Sequence, residues 1–302
     1  MSDREEVAHL PVLVDELTFL LRPRRGGWVV DGTIGMGGHA ERLLDAGDAT
    51  TRLLGIDGDP EALERAGRRL ARFGRRVTLR HGSFRDLGSH ASATGIAEAQ
   101  AIVLDLGLSS YQLDECGRGF TFQGDEPLDM RFDPTRGVTA ADLLNRLTQE
   151  ELGRLIFELG EERHARRIAR RIVERRQRSP FARTGDLVAV VKDSVPRAAW
   201  PRRIHVATKT FQALRIAVND EAQALAEALP QAAGLLARGG RLGVIAFHSG
   251  EDRIVKRAFR GFAAAGFAEL EPSPLQAGIE EIHDNPRARS ARLRVLERLE
   301  AA

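Results

Sequence analysis

The sequence predicts an α/β fold, a Rossmann-like sheet domain carrying an all-helical insertion. Three observations support that expectation. Short apolar runs alternate with helical periodicity between His9 and Ser110. Three of the four runs that read as strands there end on an acid, at Asp31, Asp57 and Asp105. The alternation then stops, and the next convincing strand, Arg241–Phe247, comes only after a long helical and arginine-rich stretch.

Taken in order, His9 to Leu21 opens with a short loop and continues as an amphipathic helix with Val14, Leu17, Phe19 and Leu20, packed on the first strand. That strand, Trp28-Val29-Val30-Asp31, runs into a turn holding Gly35, Gly37 and Gly38, after which Ala40, Leu43 and Leu44 restart at helical spacing to about Ala46. Thr51–Asp57 is the second strand. Pro60 opens the next helix, a position that tolerates its missing N–H, and the helix runs to about Phe73. Arg76–Arg80 is the third strand, followed by His81-Gly82-Ser83-Phe84, and Ala101–Ser110 is the fourth strand with its exit loop. Residues 114–208 are expected to form the helical insertion, with helices at Ala140–Leu147, Gln149–Leu159, Glu161–Arg178 and Thr184–Val195. The sheet domain is then residues 1–113 and 209–302. A helix over Asp220–Ala237 and a Gly239-Gly240 turn lead into Arg241–Phe247, and the tail from Asn285 opens as a basic loop and ends as a strand or short helix.

Parallel α/β sheets bind ligands at the carboxyl ends of their strands. Asp31, Asp57, Phe84 and Asp105 all fall there. A helix N-terminus facing a glycine turn offers free N–H groups to a ligand. The dinucleotide fingerprint is G-x-G-x-x-G with an acid about 20 residues further on. Here the turn is G-x-G-G, and Asp31 at the strand end would repel a pyrophosphate. A ligand with an ammonium group and no phosphate suits it better. S-adenosylmethionine (SAM) is such a ligand, with an amine, a sulfonium and a ribose, and Asp57 follows the turn at the spacing of a residue that bonds ribose hydroxyls. Phe84 suits either adenine packing or the core. His39 and His248 are candidate bases or turn contacts; neither belongs to a His cluster, so no metal site is expected.

A bound sulfonium makes its methyl group electrophilic, and the protein must then position the acceptor and help it lose a proton. Asp105, with the carbonyls of Leu106 and Gly107, stands where an exocyclic amine would need that help; the plainer reading is a turn cap.

Composition narrows the setting. The hydrophobic fraction of 42% is that of an ordinary globular chain. No apolar run approaches the ~20 residues that span a bilayer, and the acidic start Asp3-Arg4-Glu5-Glu6 lacks the apolar core of a secretory signal. Cys116 is the single cysteine, which excludes a disulfide framework. A cytoplasmic location is expected, with no membrane partner. The net charge is only +2, yet of 45 basic residues three are lysine. A GC-rich genome explains the bias; so does contact with phosphate, which arginine binds bidentately. A charge run is usually a solvated face, but eight arginines against three glutamates in Glu161–Arg178 raise the odds of a phosphate-facing surface.

Several long motifs carry a family resemblance. They are Asp31-Gly32-Thr33-x-Gly35-x-Gly37-Gly38-His39, Leu104-Asp105-Leu106-Gly107-x-Ser109-Ser110, Arg118-Gly119-Phe120, Pro127-Leu128-Asp129-Met130-Arg131 and Gly160-Glu161-Glu162-Arg163. Thr210-Phe211-Gln212-Ala213-Leu214-Arg215-Ile216, Phe247-His248-Ser249 with Glu251-Asp252-Arg253, and Asn285-Pro286-Arg287-Ala288-Arg289-Ser290 continue the series. Together they resemble the bacterial RsmH (MraW) family from His9 to near the C-terminus. The resemblance implies a class I SAM-dependent methyltransferase that modifies the N4 amine of a cytidine in the decoding region of 16S rRNA, with the helical domain helping to recognise RNA. It implies SAM contacts at Gly37, Gly38, His39, Asp57, Phe84, Asp105 and Gln112; Asp105 is also the residue read above from its position as catalytic. It implies the small ribosomal subunit as partner and allows a homodimer. Tyr111, Gly250, Val206 and Lys209 depart from the family pattern, as does Gln276-Ala277-Gly278; none lies in the glycine turn or at Asp105. Two alternatives stay open: a ribosome-assembly factor of the same fold without catalysis, and an amino methyltransferase acting on DNA or protein. The DNA enzymes carry an Asp/Asn-Pro-Pro-Tyr/Phe motif where this chain has Asp105-Leu106-Gly107-Leu108.

Overall fold

The computed structural model describes residues 11–23 and 26–300. His9, the expected start of the first segment, lies outside them. In chain order the first part comprises α1 (Val14–Leu21), β1 (Trp28–Asp31), α2 (Gly38–Ala46), β2 (Arg52–Asp57), α3 (Pro60–Arg69), β3 (Val77–His81), α4 (Leu87–Ala93) and β4 (Ala99–Asp105). There follow α5 (Ser110–Asp114), α6 (Ala140–Arg146), α7 (Gln149–Gly160), α8 (Ala165–Arg176), α9 (Thr184–Ser194) and α10 (Thr208–Asn219). The last part holds α11 (Glu221–Leu235), β5 (Leu236–Ala246), α12 (Ser249–Phe262), β6 (Phe267–Glu269), α13 (Ile279–Asp284) and β7 (Arg292–Arg298). The chain forms two compact units, one from the segments up to Ser109 and from Ala222 onward, the other Ser110–Glu221.

The first unit is the Rossmann-like α/β domain. Its seven strands lie in the order β3-β2-β1-β4-β5-β7-β6. The first five are parallel, and β7 inserts antiparallel between β5 and β6. Successive strand residues face opposite sides, so the sheet has two cores. Val30, Leu54, Ile102, Leu104 and Val244 pack with residues of α4, α11 and α12. Val29, Leu53, Ala101, Val103 and Ile245 pack with α1, α2 and α3. Burial on both faces is why these strands read as continuous apolar runs rather than alternating ones.

Three details differ from the sequence expectation. Helix α1 packs mainly on β5 and α2, not on the first strand. Gly243 in β5 makes room for it, since a Cβ there would lie 2.5 Å from Leu17 Cδ1. Phe19, expected in the apolar stripe, is 78% exposed. The Gly239-Gly240 pair is not a turn before β5 but lies inside it, at a register irregularity opposite Ala99 and Ala101. There a Cβ on Gly240 would meet Ala99 O at 2.9 Å, a close backbone approach typical of a bulge. The tail ends as strand β7.

The second unit is built from helices. Thr139 and Thr148 open α6 and α7 with capping boxes to Asp142 and Glu151. Helix α7 packs on α8 and α10, and α8 on α9. Gly160 allows the α7–α10 approach, because a side chain there would collide with the Lys209 carbonyl. Asn219 at the end of α10 accepts from Phe132 N at 2.7 Å and donates to Met130 O at 2.8 Å, fastening the Arg118–Asp133 loop. The arginine-rich helix starts later than expected. Glu161 adopts a left-handed conformation (φ 51°) that ends α7, and α8 begins at Ala165.

Candidate active site

The strand order places a switch point between β1 and β4, since β1 continues to β2 on one side and β4 to β5 on the other. A crevice opens at the carboxyl ends of strands at such a point. Asp31 and Asp105 end the two strands that flank it.

The turn after β1 is held by its own backbone and by Asp57. Gly35 and Gly37 have φ values of 49° and 83°, a region that favours glycine. Gly37 N–H donates to Ile34 O at 2.8 Å and Gly37 then caps α2. Asp57, at the end of β2, accepts from Gly35 N at 2.8 Å through Oδ2 and from Asp59 N at 2.9 Å through Oδ1. One carboxylate thus ties the turn to the second strand. Gly38 opens α2 against Pro11, whose Cγ would lie 2.8 Å from a Cβ at position 38.

His39 follows on α2, buried, with Nε2 at 3.3 Å from Asp105 Oδ2. Neither ring nitrogen of His39 has a hydrogen-bond partner, nor does the buried Asp105 Oδ1. The backbone N–H of Asp105 donates to Thr33 Oγ1 at 2.7 Å. Thr33 also donates its N–H to Asp31 Oδ1 at 3.1 Å. Sequence reasoning did not single out Thr33; its signal was the hydroxyl inside Asp31-Gly32-Thr33, two residues beyond a strand end.

Of the expected site residues, Gly37, Gly38, His39, Asp57, Phe84 and Asp105 belong to the sheet unit. Phe84 begins a short 3-10 turn after β3 and packs partly buried against the core. A Cβ on Gly32 would lie 2.6 Å from Leu104 Cδ2 and 3.3 Å from Phe84 Cβ, so the close packing here requires glycine. Gln112 is buried in α5 of the helical unit, where its carbonyl accepts from Cys116 Sγ at 3.1 Å. His248, weighed as a base, caps α12: its Nδ1 accepts from Glu251 N at 3.3 Å and its Nε2 lies 3.1 Å from Glu251 Oε1.

The electrostatics of the crevice suit a cation. Asp31 is 1% exposed. Burial pushes its carboxyl up to about 7; the His39 ring and the Thr33 N–H oppose the rise, and the Asp105 and Asp57 carboxylates add to it. Three carboxylates gathered beside unpartnered polar atoms fit an ammonium or sulfonium group and disfavour a phosphate. Without a cation, a raised carboxyl costs stability as it ionises. Between pH 4 and 7 the folded chain holds a proton on Asp31 that the unfolded chain has lost, so this contribution falls as pH rises, by about 4 kcal/mol in all. Asp31→Asn, which stays neutral, should gain on the wild type by a similar amount across that window. Urea unfolding of both proteins at several pH values checks this, and parallel curves would contradict it.

The MraW methylase family profile matches residues 6–299. The chain is 49% identical to the ribosomal RNA small subunit methyltransferase H of Syntrophotalea carbinolica, over 98% of this chain and 99% of that protein. It is 48% identical to the protein of the same name from Geobacter sulfurreducens, over 97% and 99%, and 47% identical to that from Pelobacter propionicus, over 96% and 98%. With all seven sheet strands, the glycine turn and the helical unit inside the matched region, this protein belongs to the MraW methylase family.

Proposed function

We propose that this protein transfers the methyl group of SAM to the N4 amine of a cytidine in the decoding region of 16S rRNA, within the small ribosomal subunit. The observation that carries the reading is the Asp105 carboxylate. It ends β4 at the switch point, beside the glycine turn, with a buried oxygen that has no partner. Gly37, Gly38, His39, Asp57, Phe84, Asp105 and Gln112 are the residues proposed to hold the cofactor, which supplies an electrophilic methyl group when bound.

The lone pair of a cytosine amine is delocalised into the ring, which makes it a weak nucleophile. A carboxylate oxygen accepting from that N–H draws the nitrogen toward tetrahedral geometry and then takes its proton. The Asp105 carboxylate, whose side chain is 27% exposed, is suited to both tasks, and Thr33 steadies the Asp105 backbone. Asp57 keeps the glycine turn in the conformation the cofactor needs.

The helical unit is proposed to face RNA, and the protein is proposed to work in the cytoplasm; none of its described helices is long and apolar enough to cross a membrane. Arg163, Arg166, Arg167, Arg170 and Arg171 are exposed on and before α8, while Ile168 and Ile172 are buried. Replacing Arg167 and Arg171 together with glutamine should weaken binding to the small subunit about tenfold at low salt and make its salt dependence shallower by about two counterions. SAM binding should not change. An unaltered salt slope would make α8 an ordinary solvated face.

The reading is tested by adding protein and methyl-labelled SAM to small subunits from cells that lack this enzyme, then digesting the RNA to nucleosides. Label in N4-methylcytidine is the expected result. Label in another nucleoside would overturn the acceptor assignment, and bound SAM with no transfer would favour an assembly factor without catalysis.

A further inference from the structure

The geometry points to His39 as a positioning residue for Asp105: its Nε2, 3.3 Å from Asp105 Oδ2, sets the rotation of the carboxylate that meets the acceptor amine. This rests on the functional reading above and goes beyond a cofactor contact. His39 lies on the second residue of α2, directly after the glycine turn, and its side chain is 7% exposed against 27% for Asp105. Nε2 approaches Oδ2 at 3.3 Å, and neither Nε2 nor Nδ1 makes a hydrogen bond. A buried polar ring is normally satisfied by its surroundings. Here the carboxylate that carries the proposed chemistry stands 3.3 Å away, and the buried Asp31 carboxyl also feels the ring. Catalytic pairs are often long before substrate binds and tighten when it does.

The backbone already fixes one end of Asp105 through Thr33, which leaves the rotation of its carboxyl group to be set. An N–H from His39 directed at Oδ2 sets it. In the transfer the amine nitrogen bonds to the methyl carbon, the carbon–sulfur bond breaks with its electron pair staying on sulfur, and the amine proton passes to the Asp105 carboxylate. His39 touches none of the reacting atoms in this scheme, and only the aim of the carboxylate depends on it.

Two substitutions separate this role from packing and from cofactor binding. His39→Gln retains an N–H near the place of Nε2, whereas His39→Leu fills similar space without one. Turnover on undermethylated small subunits is measured at saturating SAM, with SAM affinity determined separately by calorimetry. In His39→Leu, kcat at saturating SAM is expected to fall about 30-fold, short of the 10²–10⁴ that a general base contributes because Asp105 itself remains, in addition to the SAM affinity lost with a cofactor contact. His39→Gln should restore most of kcat. If His39→Leu keeps its kcat and loses only SAM affinity, His39 is a cofactor contact alone and the inference fails. If both variants lose kcat equally, the N–H does not matter and it also fails. Wild-type enzyme that makes no N4-methylcytidine would instead overturn the functional reading itself, whatever the variants do.

Discussion

Asp105→Asn is expected to lower turnover on the small subunit about a thousandfold, within the 10²–10⁴ range that a positioned proton acceptor contributes. The substitution is nearly isosteric and retains the backbone N–H that bonds Thr33 Oγ1. It exchanges an oxygen that accepts a proton for an amide that cannot. SAM affinity should change far less than kcat, since one contact among several is altered. Single-turnover methylation at saturating SAM, beside calorimetric SAM binding, measures both quantities. Full turnover in this variant would remove Asp105 from the chemistry.

Asp57→Ala is expected to reduce SAM affinity about a hundredfold and to destabilise the fold by about 2 kcal/mol. Both effects have the same origin. The carboxylate accepts from Gly35 N and Asp59 N, so its removal leaves two backbone donors without that acceptor and frees the glycine turn. Asp57→Asn, which retains one acceptor oxygen, should fall between alanine and wild type in both measurements. Calorimetry and thermal unfolding report the two effects separately. A variant that binds SAM normally yet melts early would make Asp57 a purely structural tie.

Much of the sheet domain was legible because its signals are local. Apolar runs such as Val29-Val30 and Ile102-Val103-Leu104 are dense because both faces of a parallel sheet are covered. The ends of β1, β2 and β4 showed as acids, and the start of α3 showed as Pro60. What misled was also local. Glu161 has the composition of a helix continuing into α8, yet it ends α7 in a left-handed conformation. Gly239-Gly240 looks like a turn, but a bulge inside a strand needs the same residue. Phe19 sits in the helical stripe of α1 and still faces solvent.

By itself the sequence determined which residues end the strands, where the glycine turn lies and which family the motifs resemble, since periodicity, turn residues and motif spacing are properties of neighbouring residues. The tertiary structure alone decided which strand ends become neighbours. The β3-β2-β1-β4-β5 order brings Asp105 beside the turn that follows Asp31, and with it sets His39 Nε2 at 3.3 Å from Asp105 Oδ2 and Thr33 Oγ1 under the Asp105 N–H. Crossover connections leave no mark in local pattern. The raised Asp31 carboxyl has the same origin, because desolvation depends on everything packed around a group and not on its neighbours in the chain.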